Sequence, residues 1–578
     1  MPLSPAIQQN IDTWLTPAYD AQTQLEIRQM VDAGQDDALT DAFYRSLEFG
    51  TGGLRGIMGA GSNRMNRYTL GMATQGLCNY LLHSFPGQEI KVAIAHDSRN
   101  NSAEFANIAA GIFSANGITA YLFDQLRPTP ELSFAIRYLG CQSGCVITAS
   151  HNPKEYNGYK VYWNDGAQVV SPHDQNIIAE VNKISSVAEV KFEADNSRIH
   201  RIGADVDNAY FAAARQLSVD PAAIQRQHDL KIVYTPIHGS GITLVPGLLR
   251  EFGFTNVRVV EAQATPDGNF PTVDSPNPEE KSAMQLALDQ AKAEDADLVL
   301  ATDPDADRVG MGVKNEQGEW VLLNGNQTAA LLTNYLLSAR ARAGQSTPQD
   351  YIVYTIVTSE ILGDIARRHN VRSYQTLTGF KYIAGLIRDL EGEQHYICGG
   401  EESYGFLIGD FVRDKDAVSA CALLAEMAAV AKEQGRTLYQ EMMEMYATYG
   451  LYLEDLISLT KKGMRGAEEI QEMMAGLRAN PPATIAGSPV VEVRDYKTGR
   501  ITDQKTGQHR ETGLESSNVL QFITADGSKI SARPSGTEPK IKFYFSVKQP
   551  LASVVDFDLT MQRAQDKIKA IIADMQLK

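Results

Sequence analysis

Apolar and polar positions follow one pattern that returns three times along the chain. Lys91–His96 reads as a buried strand, Ser102–Asn116 as a helix and, after Gly117, Ile118–Phe123 as a second strand. Lys231–Pro236, a helix near Leu244–Phe252, Gly253 and Val257–Glu261 repeat that order. Tyr351–Val357, a helix near Ser359–His369 and Val371–Thr376 repeat it again. Strand, helix, small or polar stop and strand is the βαβ signature. Gly117 and Gly253 stand where helix ends favour a left-handed residue. Three copies predict three related α/β domains with mixed or parallel sheets.

The tail changes character. Ser488–Thr502 and Val519–Tyr544 read as strand-rich, with turns at Asp526-Gly527 and Ser535-Gly536. Met561, Ala564, Ile568, Ile571 and Met575 have the spacing of an amphipathic helix. A helical connection around Gly463–Asn480 and the pair Pro481-Pro482 lead into this part, which reads as a fourth, α+β domain. We therefore expect a domain with an N-terminal helical extension at 1–205, a second at 206–322, a third at 323–450, and connecting helices with the C-terminal domain at 451–578. The most apolar stretch, Ala417–Ala431, contains Glu426 and is too short to span a bilayer, so it predicts a buried helix.

Composition adds exclusions. A length of 578 residues exceeds what one core supports. Hydrophobic residues at 43% and charged residues at 21% suit a globular chain. The N-terminus carries no basic region followed by an apolar run, and five cysteines without paired spacing read as reduced thiols, so a cytoplasmic location is expected. A net charge of −17 argues against nonspecific nucleic-acid binding. An acidic protein that binds a phosphate must build a local basic pocket against its own field.

Candidate chemistry lies in short loops after strands. Thr148-Ala149-Ser150-His151-Asn152-Pro153 follows the apolar run Cys145–Ile147, and a serine on such a turn can present its hydroxyl to a cleft. Asp303, Asp305 and Asp307 follow the strand Asp297–Ala301; on an extended backbone their alternation puts three carboxylates on one side. Their mutual repulsion calls for a cation, and hard oxygen ligands favour magnesium. Arg533-Pro534-Ser535-Gly536-Thr537-Glu538-Pro539-Lys540 joins a planar guanidinium to hydroxyl and backbone donors suited to an anion. Gly399-Gly400-Glu401-Glu402-Ser403-Tyr404-Gly405 offers carboxylate and hydroxyl groups for sugar hydroxyls. The glycine-dense loop Gly50–Gly56, with Arg55, and the stretch Leu377-Thr378-Gly379-Phe380-Lys381 could each be an ordinary surface loop when taken alone.

Together TASHNP, DPDADR, GGEESYG and RPSGTEPK, in this order, resemble the α-D-phosphohexomutase superfamily from about Phe49 to Lys542. The length and the segment Val412–Val418 (VRDKDAV) resemble its longer phosphoglucomutase branch, related to phosphopentomutases. The resemblance implies a heart-shaped, four-domain architecture and interconversion of sugar 1- and 6-phosphates through a phosphoserine at Ser150. It implies Mg2+ held by Asp303, Asp305, Asp307 and the Ser150 phosphate, with glucose 1,6-bisphosphate as intermediate and activator. Glu401 and Ser403 are implied at the sugar hydroxyls, with Thr378 and Gly379 as further substrate contacts. Arg533, Ser535, Gly536 and Thr537 are implied at the non-reacting phosphate. Arg55, Lys160 and Arg308 are implied near the serine phosphate, and His151 and Lys381 as acid/base groups. One departure is Tyr404-Gly405-Phe406, where many relatives carry Gly-His or Ala-His; it argues against simple dual use of mannose and glucose. Small sugar phosphates are the expected partners, neither nucleic acid nor membrane is expected, and no oligomeric state is implied. Open alternatives are phosphomannomutase, phosphopentomutase, a magnesium-dependent sugar phosphatase and a noncatalytic sugar-phosphate-binding protein.

Overall fold

A computed structural model of the chain describes residues 3–577 apart from 51, 462 and 536–539. The three βαβ repeats are each the centre of a mixed sheet with the same strand plan. In the first, Lys91–His96 pairs in parallel with Thr119–Phe123 on one side and Ser143–Ile147 on the other, and Tyr156–Trp163 returns antiparallel beside the latter. In the second, Ile232–Thr235 lies between Val257–Val259 and Leu298–Thr302, with Val309–Lys314 antiparallel beyond. In the third, Asp350–Thr355 lies between Arg372–Thr376 and His395–Gly400, with Phe406–Ile408 antiparallel beyond. The first sheet is widened at its edges by Gly53–Ile57 and Ile199–Ile202, the second by Trp320–Leu323.

The fourth sheet is antiparallel throughout. Leu451–Thr460, Lys540–Gln549, Lys529–Pro534, Leu520–Thr524, Ser488–Asp495, Arg500–Asp503 and His509–Glu511 follow one another across it. The helix Phe557–Asp574 covers it, burying Ala564, Ile568 and Ile571, while Met561 is half-buried and Met575 lies just past the helix end. Three α/β domains and a C-terminal α+β domain are thus present.

The stretch rich in alanine and leucine forms the helix Ala417–Glu433, buried through Ala431 and set in the core shared by the later domains. The charge of Glu426 is not an interruption. Its carboxylate accepts from Val219 N (2.9 Å), Asp220 N (3.0 Å), Tyr335 OH (2.7 Å) and Ser218 Oγ, so a buried charge is fully hydrogen-bonded. No helix among the described residues is long and apolar enough to cross a membrane. All five cysteines are buried and unpaired, and burial pushes the Cys141, Cys145 and Cys398 thiols up to about 12.

Candidate active site

Each α/β sheet sends one loop into a common cleft from the same place, between its last parallel strand and the antiparallel return. The first loop carries Ser150. Thr148 Oγ1 accepts from Ser150 N (2.8 Å), and the chain turns through Ser150 at φ +51°, a left-handed conformation that favours glycine. The turn points Ser150 Oγ at the second loop, where it donates to Asp303 Oδ2 at 2.8 Å. His151 Nδ1 lies 3.2 Å from the same hydroxyl.

The second loop departs from the sequence expectation. Asp303, Asp305 and Asp307 do not share one side of an extended strand. The strand ends at Thr302, Ala306 N donates to Asp303 O (2.9 Å), and Ala306 has φ +50°. A tight turn, not a period-two alternation, gathers the carboxylates, because Pro304 and the left-handed Ala306 fold the backbone back. Ligand-capable oxygens of the three lie within 4.8 Å of one another. Asp305 Oδ1 and Asp307 Oδ1 are buried without a hydrogen-bond partner among the described residues. Burial and the two neighbouring charges push Asp303 well above the usual carboxylate range. Burial also opposes ionisation of Asp305, but Lys160 overrides it and holds that carboxyl low. A buried trio of hard oxygens with orphaned lone pairs fits a divalent cation.

Cations ring this trio. Lys160 Nζ lies 2.8 Å from Asp305 and 3.4 Å from Asp307. Arg308 Nη1 donates to Glu279 (2.8 Å) and to Ser403 O (3.1 Å), linking the second loop to the third. Arg55 Nη1 donates to Asn152 Oδ1 at 3.4 Å. Burial, aided by the Arg308 and Arg55 charges, holds His151 well below the usual imidazole pKa, which favours the neutral ring.

In the third loop Glu401 Oε1 accepts from Gly379 N (3.0 Å), and burial raises its pKa. Thr378 Oγ1 is buried on the cleft wall without a partner among the described residues. Arg533, Ser535, Lys540 and Lys542 of the fourth domain close the ring. The whole cleft measures about 1410 Å³ and is lined from all four domains. Gly536 and Thr537 lie outside the described residues. Lys381 follows Gly379 and Phe380, which line the cleft; its ammonium lies 5.1 Å from the Tyr382 ring centroid, and burial lowers its pKa.

Lys415 occupies the cleft wall without having been singled out as a site residue. Its Nζ sits 3.2 Å from Asp307 Oδ2 and 2.9 Å from Asp414 Oδ1. Burial disfavours its charge, but Asp307, Asp414 and Glu401 keep it protonated. The signal was present: Arg413, Asp414, Lys415 and Asp416 are four charges in a row between apolar neighbours, and all but Lys415 are almost fully buried.

A serine turn, an acidic trio and a set of basic side chains, brought to one cleft by three like domains and a fourth, define a phosphosugar mutase scaffold. Family models described as phosphoglucomutase/phosphomannomutase, alpha/beta/alpha domains I, II and III, match residues 46–188, 208–318 and 324–449. The chain belongs to this family, the α-D-phosphohexomutases, which are isomerase-class phosphotransferases. It is 38% identical over 550 residues to a phosphoglucomutase of Staphylococcus epidermidis (strain ATCC 35984), covering 92% of this chain and 98% of the relative. It is 36% identical over 564 residues to a phosphoglucomutase of Staphylococcus aureus (strain N315), covering 97% and 98%. Among solved structures, a putative phosphomannomutase from Thermus thermophilus superposes with a TM-score of 0.67 at 22% identity, covering 92% of this chain and 98% of the other. The open form of pp63/parafusin, a phosphoglucomutase from Paramecium, gives 0.69 at 18%, covering 92% and 95%. At such identities these two establish the fold.

Proposed function

We propose that this protein is a cytoplasmic, magnesium-dependent phosphoglucomutase that interconverts α-D-glucose 1-phosphate and glucose 6-phosphate through phospho-Ser150 and glucose 1,6-bisphosphate. The observation that carries the reading is the 2.8 Å approach of Ser150 Oγ to Asp303 across two domains. The curated relatives' names support glucose as the sugar.

Phospho-Ser150 gives its phosphoryl group to the free 6-hydroxyl of the sugar 1-phosphate: the Oγ–P bond breaks as the O6–P bond forms. The hydroxyl proton passes to the serine oxygen by way of His151, whose Nδ1 lies 3.2 Å from Oγ. Arg55, Lys160, Arg308 and Lys415 carry charge that develops on the transferring group. Asp303, Asp305 and Asp307 would hold Mg2+, which when bound supplies further charge stabilisation at that group. Glu401, Ser403, Thr378 and Gly379 orient the sugar, and Arg533 and Ser535 hold the far phosphate. The bisphosphate then turns over in the cleft and its 1-phosphate returns to Ser150. A cleft lined by anion-binding groups on opposite domains suits either end of the sugar.

Ser150→Ala should abolish turnover while thermal unfolding stays unchanged. The wild-type enzyme should act on glucose 1-phosphate faster than on mannose or ribose 1-phosphate, each with magnesium and a trace of its bisphosphate. Full activity in Ser150→Ala would sink the reading. Equal rates on the three sugars would remove glucose, and accumulation of inorganic phosphate would make the protein a phosphatase.

A further inference from the structure

The serine turn bends through a left-handed residue, and a side chain outside the cleft grips it from behind. Arg99, in the loop after the strand Lys91–His96, has a side chain with no solvent exposure. Its Nη2 donates to the carbonyls of Ser150 (2.6 Å) and Asn152. Its Nη1 donates to those of Pro153 (2.8 Å) and Tyr156 (3.1 Å). Its Nε faces Asp97 Oδ2 at 3.4 Å. A guanidinium has five N–H donors in one plane; here four meet carbonyls and the fifth faces a carboxylate. A lysine could not span four carbonyls of one turn.

The clamp is itself held. Asp97 Oδ1 accepts from Arg99 N (2.9 Å) and Ser102 Oγ (2.7 Å), and Asp97 N donates to Ile147 O (3.0 Å), at the end of the strand that leads to Ser150. The guanidinium carbon lies 5.1 Å from the ring centroid of Phe270, a residue of the second domain. Beside it Asn100 Nδ2 donates to Asn269 Oδ1 (3.1 Å), and a Cβ on Gly268 would meet Asn100 N at 2.2 Å. One side chain thus joins the backbone of the nucleophile turn to the domain that carries the three carboxylates.

We propose that Arg99 is a positioning residue for phosphoryl transfer, fixing the Ser150 turn so that Oγ stays registered on Asp303, Asp305 and Asp307. This rests on the reading of Ser150 as the phosphate carrier. A left-handed non-glycine residue persists only where its surroundings over-determine it. Four carbonyls drawn onto one guanidinium supply that constraint, and a misplacement of about 1 Å at a reacting atom costs on the order of 100-fold in rate.

The test is the full-length enzyme carrying Arg99→Lys, assayed for kcat and KM with glucose 1-phosphate and for its unfolding midpoint. The expected result is a folded protein whose kcat falls about 100-fold while KM stays within about threefold, because the sugar and clamp contacts lie on other loops. If Arg99→Lys does not fold, Phe270→Leu takes its place; it keeps buried bulk but removes the ring under the guanidinium. There kcat should fall about fivefold at unchanged KM. A folded Arg99→Lys enzyme with kcat within about twofold of wild type, or a rise in KM with kcat untouched, overturns the proposal; so does an unchanged kcat in Phe270→Leu when that variant decides. An inactive wild-type enzyme, or one that turns over without phosphate on Ser150, would instead strike the carrier reading.

Discussion

A methyl group added at Gly405 would meet Lys415 Cδ at 2.1 Å and Cγ at 2.8 Å. The glycine therefore leaves a track along which the lysine stem reaches Asp307. The obstacle is a flexible side chain, so Gly405→Ala should fold with its unfolding midpoint nearly unchanged. The lysine, however, must leave its 3.2 Å contact with Asp307. We expect kcat to fall by about 10- to 100-fold, the scale of losing one charge aimed at a transferring phosphoryl group. Steady-state kinetics beside a melting curve checks both halves. Ser150 and the three aspartates were legible because each group is contiguous in sequence and chemically odd for a loop. Lys415 lies in a charged run that the sequence shows, but its partner Asp307 is far away in the chain; Arg99 gives no such signal, because it acts on the distant Ser150 turn.

At the scale of elements, the three site loops are one design used three times. Each follows the last parallel strand, at Ile147, Thr302 and Gly400, and each turns through a left-handed non-glycine residue, Ser150, Ala306 or Tyr404. The βαβ copies were readable from periodicity. The antiparallel return strands were not, since Val309–Lys314 is broken by Gly310 and Gly312 and Phe406–Ile408 is only three residues long. The helix Thr129–Tyr138 braces the second of these loops: Thr129 N donates to Asp305 O (2.9 Å) and Thr129 Oγ1 to Asp305 Oδ2 (3.0 Å). In its first turn Glu131 is fully buried; neither carboxylate oxygen has a hydrogen-bond partner among the described residues, and Arg127 Nε lies 3.6 Å from Oε2. Burial first, then Asp207, pushes its pKa well above the usual range, which favours the protonated acid. A carboxyl with a raised folded pKa stabilises fully below its unfolded value near 4.5, and that contribution is lost as pH rises toward the folded value. Glu131→Gln stays neutral at every pH and removes that titration. Its unfolding midpoint should match wild type near pH 4 and exceed it at pH 8, by about 1–2 kcal/mol of stability. A constant difference between the two proteins across that range would remove the buried-acid account.

At the scale of the whole molecule two fields oppose each other. The chain carries a net charge of −17, whereas Arg55, Lys160, Arg308, Lys415, Arg533, Lys540 and Lys542 face a single cleft. A dianionic sugar phosphate is repelled at long range and held at short range. Salt separates the two, because the Debye length is about 30 Å at 0.01 M and about 10 Å at 0.1 M. Over that interval the repulsion from charges spread across the surface is screened out. Contacts of a few ångströms inside the half-enclosed cleft keep most of their strength. The sequence already posed the conflict, since an acidic chain with phosphate-binding motifs must solve it somewhere. The structure adds that the solution is spatial: no short segment is strongly basic, and these cations come together, beside carboxylates such as Asp307, Glu401 and Asp414, only once four domains meet. With magnesium held constant, kcat/KM for glucose 1-phosphate should therefore rise, by about two- to threefold, as an inert salt goes from about 10 to 100 mM. Stopped-flow or steady-state rates at subsaturating substrate measure it. A steady decline from the lowest salt upward would mean that the clamp's own field reaches into solvent and steers the substrate in, and that the surface charge does not govern approach.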